Sequence, residues 1–330
     1  MNSQTINLLS MEKNSWYDIF LESIYEQFPK KAQVTRGLID LLHLEREAVY
    51  RRFRKDVVFH AHEIVKMAAA WNISLDEMIG INSGKISFQM LPINYLNPSK
   101  LEFNNIQKKI KDLDDIELDT DSEYMEVRNR LPRPLSIGFL NIYRFKILNW
   151  VYQYNQNEFH KTLSNIIIPE KMYHEFEIYQ KKMATVKNSF YILDQNIFED
   201  FVTNIKYFHS ILLVTDEEKE LLKNELHALL DYMLDIANTG CYPKTQNKVN
   251  LYISKINIDT NYSYYYSNRV KTCLVHAFGK HDILSFNTEM VNNFRTWMHL
   301  KKRSSVQISE VNVKMRIDYF TEQRKIVDSL

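Results

Sequence analysis

Apolar residues along this chain recur mostly every three or four positions, the spacing of helices that bury one face. Near the start, Trp16, Ile19, Phe20, Ile24 and Phe28 keep that spacing until Pro29, which predicts a helix from Ser15 or Trp16 to about Gln27. Val34, Leu38, Leu41 and Leu42 mark a second helix over about Thr35–Leu42. A short turn at His43-Leu44 leads into a third, from Glu45 to about Lys55. Ile64, Val65, Ala68 and Trp71 share one face of a fourth, Ala61–Trp71. Ser74-Leu-Asp-Glu77 is a capping box opening a last short turn that closes at Gly80.

Lys85–Leu96 reads as an extended link or an edge strand ending in Asn-Pro. Helical spacing then predicts helices over 99–116, 123–130, 136–154, 156–165, 169–187, 195–210 and 215–239. Thr215-Asp-Glu-Glu218 caps the last of these and Gly240 is placed to stop it. The period changes at about Lys248. Val249–Ser254 alternates, Tyr262–Tyr266 is aromatic and Val270–Phe278 alternates again, which are strand signals for a small antiparallel sheet. Helices resume at about 287–302 and 311–327. The expected fold is therefore mainly α. A loose tail (1–14) precedes a five-helix unit (15–82), a linker or edge strand (83–98) and a mostly helical α+β domain (99–330) with its sheet near 249–278.

Composition agrees with helices. Gly (6) and Pro (7) are few in 330 residues, which disfavours a turn-dense all-β chain, while 20 Tyr and 18 Phe can fill a large core. Two distant cysteines without metal-ligand spacing suit a reducing compartment. No basic, then apolar, leader opens the sequence, and no apolar run is long enough to span a membrane, so a cytoplasmic location without a membrane partner is expected.

Charge sharpens the picture. The net charge is only +1, but Lys30–Lys55 holds eight Lys/Arg against three acids, a local +5 that leaves −4 for the rest. A basic patch on a near-neutral body is the electrostatic footprint of a nucleic-acid partner. Stepping ~100° per residue from Val49 turns Phe53 inward with it and sends Glu47, Arg51 and Arg54 outward. Arg46 and Tyr50 fall on one flank and Arg52 on the other. Arginine's planar fork matches guanine O6 and N7, whereas lysine mainly supplies charge to phosphate.

These residues resemble the helix-turn-helix of phage lambda repressor-like regulators. Leu38 and Leu42, Leu44 after the turn, Val49, and Ile64 to Leu75 carry the likeness, which ends in Trp71-Asn-Ile-Ser-Leu-Asp-Glu77 and covers about Trp16–Gly80. The whole layout resembles two-part regulators of gut Bacteroidetes. The chain departs from the repressor pattern at His43, where the family has a turn glycine, and at Tyr50-Arg-Arg-Phe53, where the family has Ser-x-Trp-Glu. The resemblance implies a DNA-binding transcriptional regulator that pairs as a homodimer on double-stranded DNA. Base readout is expected from Arg46, Glu47, Tyr50, Arg51 and Arg54. Phosphate contacts are expected from Lys30, Lys31, Thr35, Arg36, Arg52 and Lys55. The C-terminal domain would dimerise or sense an effector. The alternative is a protein-interaction module that uses the same bundle as a scaffold.

Other constellations are weaker. His60 and His62 are two apart and point in different directions on a helix, so capping is favoured over a metal. Asp112–Glu123 holds seven acids but lacks the ligand and glycine that a calcium loop needs at its fifth and sixth positions, and reads as a solvated loop. Leu222, Leu226, Leu229, Met233 and Ile236 form a core stripe or a dimer seam. Tyr262–Tyr266 with Tyr252, His276 and Trp297 are core or the lining of a pocket. No phosphate loop, nucleophile elbow or paired-carboxylate signature is visible, so neither an enzyme nor a cofactor is expected.

Overall fold

The computed structural model describes residues 16–26, 28, 31–71, 73, 75, 88–90, 98–155, 160–277 and 281–330. The chain divides into two compact units, Met1–Ser87 and Phe88–Leu330.

The first unit contains α1 (Trp16–Glu26), α2 (Lys31–Leu42), α3 (Arg46–Phe53) and α4 (Ala61–Trp71). The fifth short helix and its capping box at Ser74 lie outside the described residues, except for Ile73 and Leu75. Phe20, Ile24, Val34, Leu38, Val49 and Met67 are wholly buried at its centre, one or two from each helix. Periodicity places all four helices, and α2 begins about a turn earlier than Thr35.

The second unit corrects the expected fold. Its centre is an eight-stranded mixed sheet, larger than the small antiparallel one expected, in the order β1-β7-β6-β5-β2-β3-β4-β8. The strands are β1 (Gln89–Met90), β2 (Glu123–Arg128), β3 (Asn188–Leu193), β4 (Lys248–Ser254), β5 (Asn261–Tyr266), β6 (Lys271–Ala277), β7 (His281–Ser285) and β8 (Ser305–Gln307). β2, β3 and β4 run parallel, joined through helices, and β5 to β7 form an antiparallel meander on the other side of β2. β1, in the stretch read as a link or an edge strand, pairs with β7 at the edge of the sheet.

A thick helical layer covers one sheet face. It comprises α5 (Pro98–Glu117), α6 (Arg133–Ser136), α7 (Leu140–Tyr154), α8 (Glu170–Met183), α9 (Ile197–Ser210), α10 (Asp216–Thr239) and α12 (Val313–Asp328). On the opposite face α11 (Thr288–Leu300) packs Val291, Phe294 and Met298 against Met125, Val127, Ile192 and Tyr264. Both ends of α10 follow their sequence signals. Thr215 and Glu218 exchange capping bonds, and Gly240 takes φ 69° at the stop. The α10 stripe from Leu222 to Ile236 is buried in the core and offers no seam to a second copy.

The expected helix over 123–130 is instead the central strand β2. Glu123, Glu126 and Arg128 look like helix formers on an exposed face, yet Glu126 is wholly buried and pairs with Arg128. Side-chain pairing lets charged residues occupy a core strand and hides its pattern. β3 is a short apolar run between helices, a form that periodicity alone does not distinguish from helix. The expected helix over 156–165 is not found in its described residues, 160–165. The described part is a turn and one 3-10 turn, Leu163–Asn165. Of the acidic stretch only 118–122 is a loop: α5 runs through its first half to Glu117 and β2 begins at Glu123.

On the α11 face Glu123 accepts hydrogen bonds from Arg295 (2.7 and 3.2 Å) and Tyr264 and lies 3.0 Å from His299 Nε2. Burial alone would raise its pKa, but the bonds from His299, Arg295 and Tyr264 hold it down to about 2. A carboxyl depressed in the fold stabilises it above the ordinary 4.5 and loses that contribution as pH falls toward 2. Urea unfolding of the second unit should therefore weaken steeply across that window. In Glu123→Gln the stability at pH 7 should be lower and the acid decline shallower. Parallel pH curves for the two proteins would contradict this role.

Candidate nucleic-acid interface

The geometry of the first unit starts at its turn. His43 adopts φ 55°, a left-handed conformation that glycine tolerates best. The chain then reaches extended Glu45, the N-cap of α3, and α3 closes at Arg54. Lys55, also left-handed at φ 66°, reverses the path toward Phe59. The Phe59 backbone N–H donates to the Tyr17 hydroxyl at 3.0 Å and ties this connection to α1.

Within α3, Val49 is fully buried and Phe53 stacks on Tyr25 with ring centroids 5.0 Å apart. Arg52 does not point toward a phosphate, as its flank position suggested. It is 8% exposed and donates to Glu63 of α4 through Nη2 at 2.9 Å and Nε at 3.3 Å. Three residues from Val49, its side chain sits only ~60° from the inward direction, so a long stem reaches the neighbouring helix. Glu63 also accepts the His60 backbone N–H at 2.8 Å, the return half of a capping box at the start of α4. One carboxylate thus starts α4 and fixes the rotation of α3. This pair was not legible in the sequence, because nothing local marks a partner eleven residues away.

With Arg52 held inward, the opposite face of α3 is set. Arg46, Glu47, Arg51 and Arg54 are exposed and Tyr50 is half-buried. The Arg46 guanidinium donates to the Tyr50 hydroxyl at 3.2–3.3 Å and lies 5.6 Å from its ring, so the two form one stacked unit. Arg54 pairs with Glu47 at 2.8 Å and Asp56 at 3.0 Å, bonds that raise its pKa further. The outward set named from the sequence is therefore brought together on one surface, although two acids hold Arg54.

The expected phosphate set is less coherent. Arg36 is exposed on α2. Thr35 is buried a turn inside α2, not at its start, so it offers no hydroxyl to a backbone. Lys55 is half-exposed and pairs with Asp18 of α1. Lys30 and the side chain of Lys31 lie outside the described residues. Among the described residues, Arg36 and Lys55 are the members left on the surface.

Elsewhere, the aromatic pocket expected around β5 does not form as a unit. Tyr264 and Tyr265 face opposite sides of the sheet. Trp297 packs on Tyr262, with centroids 5.1 Å apart, while His276 turns into the helical layer. There His276 lies between Ser263 (Oγ to Nε2, 3.0 Å) and Asp282 (Nδ1 to Oδ1, 2.6 Å), and Lys109 pairs with Asp282 at 2.9 Å. Burial pushes the His276 pKa down, and Asp282 offsets this only partly. Asp282 is held well below the carboxylate range, because Lys109 and His276 outweigh its burial. The spacing is that of a nucleophile, base and acid. Ser263, however, is 2% exposed in the middle of a paired strand, so a substrate cannot reach it. The chain reads as a buried polar network.

No family model matches this chain, and no curated protein or solved structure matches it.

The orienting role of the buried pair is testable. Arg52→Met strands the Glu63 carboxylate and should cost about 3–5 kcal/mol of first-unit stability. The double variant Arg52→Met/Glu63→Met should recover most of that loss. Equal losses in the single and double variants, read by urea unfolding of the full chain, would show that packing at these sites matters and the pair does not.

Proposed function

We propose that the first unit is a helix-turn-helix DNA-binding domain and the chain a transcriptional regulator, working as a homodimer in the cytoplasm. The observation carrying this reading is the division of α3. Val49, Phe53 and Arg52 hold the helix to its neighbours, while Arg46, Glu47, Tyr50, Arg51 and Arg54 stand together on the open face. An eight-residue helix with long donors on one side suits the major groove, where an arginine can pair bidentately with guanine. Arg51 and the Arg46–Tyr50 unit are assigned to bases. Arg54 reaches a base or phosphate once Glu47 or Asp56 releases it, and Arg36 and Lys55 serve the backbone. A single such helix reads too few base pairs to be selective, which is the argument for pairing.

The interaction-module alternative gains little from this surface. Arg54's ion pairs are made with neighbours in its own helix and turn, and Arg46 bonds within α3.

The test is selection of bound genomic fragments by the full chain, followed by gel shifts at low and moderate salt. Arg51→Ala should cost ~1–3 kcal/mol on the selected site and relax its sequence preference. Arg36→Ala should weaken selected and random duplexes alike and flatten the salt dependence. Absence of binding at low salt would end the proposal.

A further inference from the structure

A cavity of about 500 Å³ lies within the second unit, inside the size range of small-molecule sites. The segment leaving β2, the first turns of α9 and one side of α7 enclose it. It therefore sits outside the carboxyl ends of the parallel pair β2 and β3, and β2's other neighbour, β5, is antiparallel. In sheets with parallel strands, the crevice beyond those ends, where the connections diverge, is where ligands bind.

Among the described residues the lining holds more cations than acids. Arg128, Arg130, Arg133 and Lys146 face Glu102 and Asp200. Glu102 is already engaged by Arg133 at 3.4 Å, and Asp200 lies at an exposed position on α9. Lys146 donates to the Ser136 hydroxyl at 2.8 Å and the Leu131 carbonyl at 3.4 Å. Arg128 is held from behind by Glu126, and its Nε is buried with no acceptor. Leaving a buried donor unmet destabilises it, a deficit that a bound acceptor would remove. Beside these cations the wall is aromatic, with Phe145, Trp150 and Phe201. Charged forks beside flat apolar surface recognise a molecule with two ends.

We propose that this cavity binds a small organic anion with a planar ring, its phosphoryl or carboxylate group on the arginines and its ring on the aromatic wall. The arginine forks suit either oxyanion, since both accept paired N–H donors. Arg130, exposed at the mouth, makes first contact, and Arg133 and Lys146 lie deeper. This inference rests on the second unit alone and stands or falls independently of α3. In a DNA-binding chain, such a site is where an effector would enter.

Calorimetric titration of the full chain at moderate salt tests it with two matched pairs of probes, AMP against adenosine and indole-3-carboxylate against indole. At least one anion should bind, at least ten-fold more tightly than its neutral counterpart, and the one that binds distinguishes phosphoryl from carboxylate. Arg130→Ala should weaken that anion about ten-fold. Thr203→Trp, which places a ring into the cavity from an exposed helical position, should abolish binding while the thermal melt of the unliganded protein is kept. Failure of both anions, equal binding of the neutral partners, or full binding by folded Thr203→Trp would overturn the proposal.

Discussion

The pairing of Arg52 with Glu63 determines what the first unit presents to its surroundings. Both groups are nearly removed from water, which costs several kcal/mol per ion unless the geometry is good. Two nitrogens on two carboxylate oxygens supply that geometry, and Glu63 gains a third bond from the His60 N–H. Turning α3 about its axis would break these bonds and leave a carboxylate buried alone. The pair therefore acts as a rotational lock. Because it fixes one side of α3, the other side must carry Arg46, Glu47, Arg51 and Arg54.

The second unit uses buried charge in the same way on a larger scale. Glu126 with Arg128, Lys109 with Asp282 and His276, and Arg133 with Glu102 form a polar layer beside a core of aromatic and aliphatic residues. Three of these contacts join different elements, Lys109 of α5 with Asp282 of β7, Glu102 of α5 with Arg133 of α6, and His276 of β6 with Asp282, while Glu126 and Arg128 share β2. His276 and Asp282 stand opposite each other in the register of β6 and β7, so their contact adds to that pairing. Arg130, Arg133 and Lys146, beyond the end of β2, line the cavity together with Arg128.

Local signals in the sequence were reliable where one residue's backbone decides the outcome. His43 takes the positive φ its place in the turn demands, Gly240 stops α10, and Thr215 with Glu218 starts it. The four described helices of the first unit follow directly from apolar spacing. Long-range pairing was not visible. Arg52 looked like a phosphate ligand because only the fold brings Glu63 to it. β2 looked helical because the partners of its charged residues are not visible in the local pattern, Glu126 pairing along the strand with Arg128 and Glu123 with Arg295 and His299 far along the chain. The cavity draws on α5, β2, α7 and α9, and no single stretch carries its signature.

The proposed function puts the arginine face of α3 in the major groove. Methylation protection on a duplex selected by the full chain tests it most directly, because guanine N7 is read from the major groove and adenine N3 from the minor groove. Guanines should be protected at N7 within each half-site, with that protection lost at specific positions in Arg51→Ala. Unaltered N7 reactivity on a saturated duplex, or protection confined to adenine N3, would contradict it.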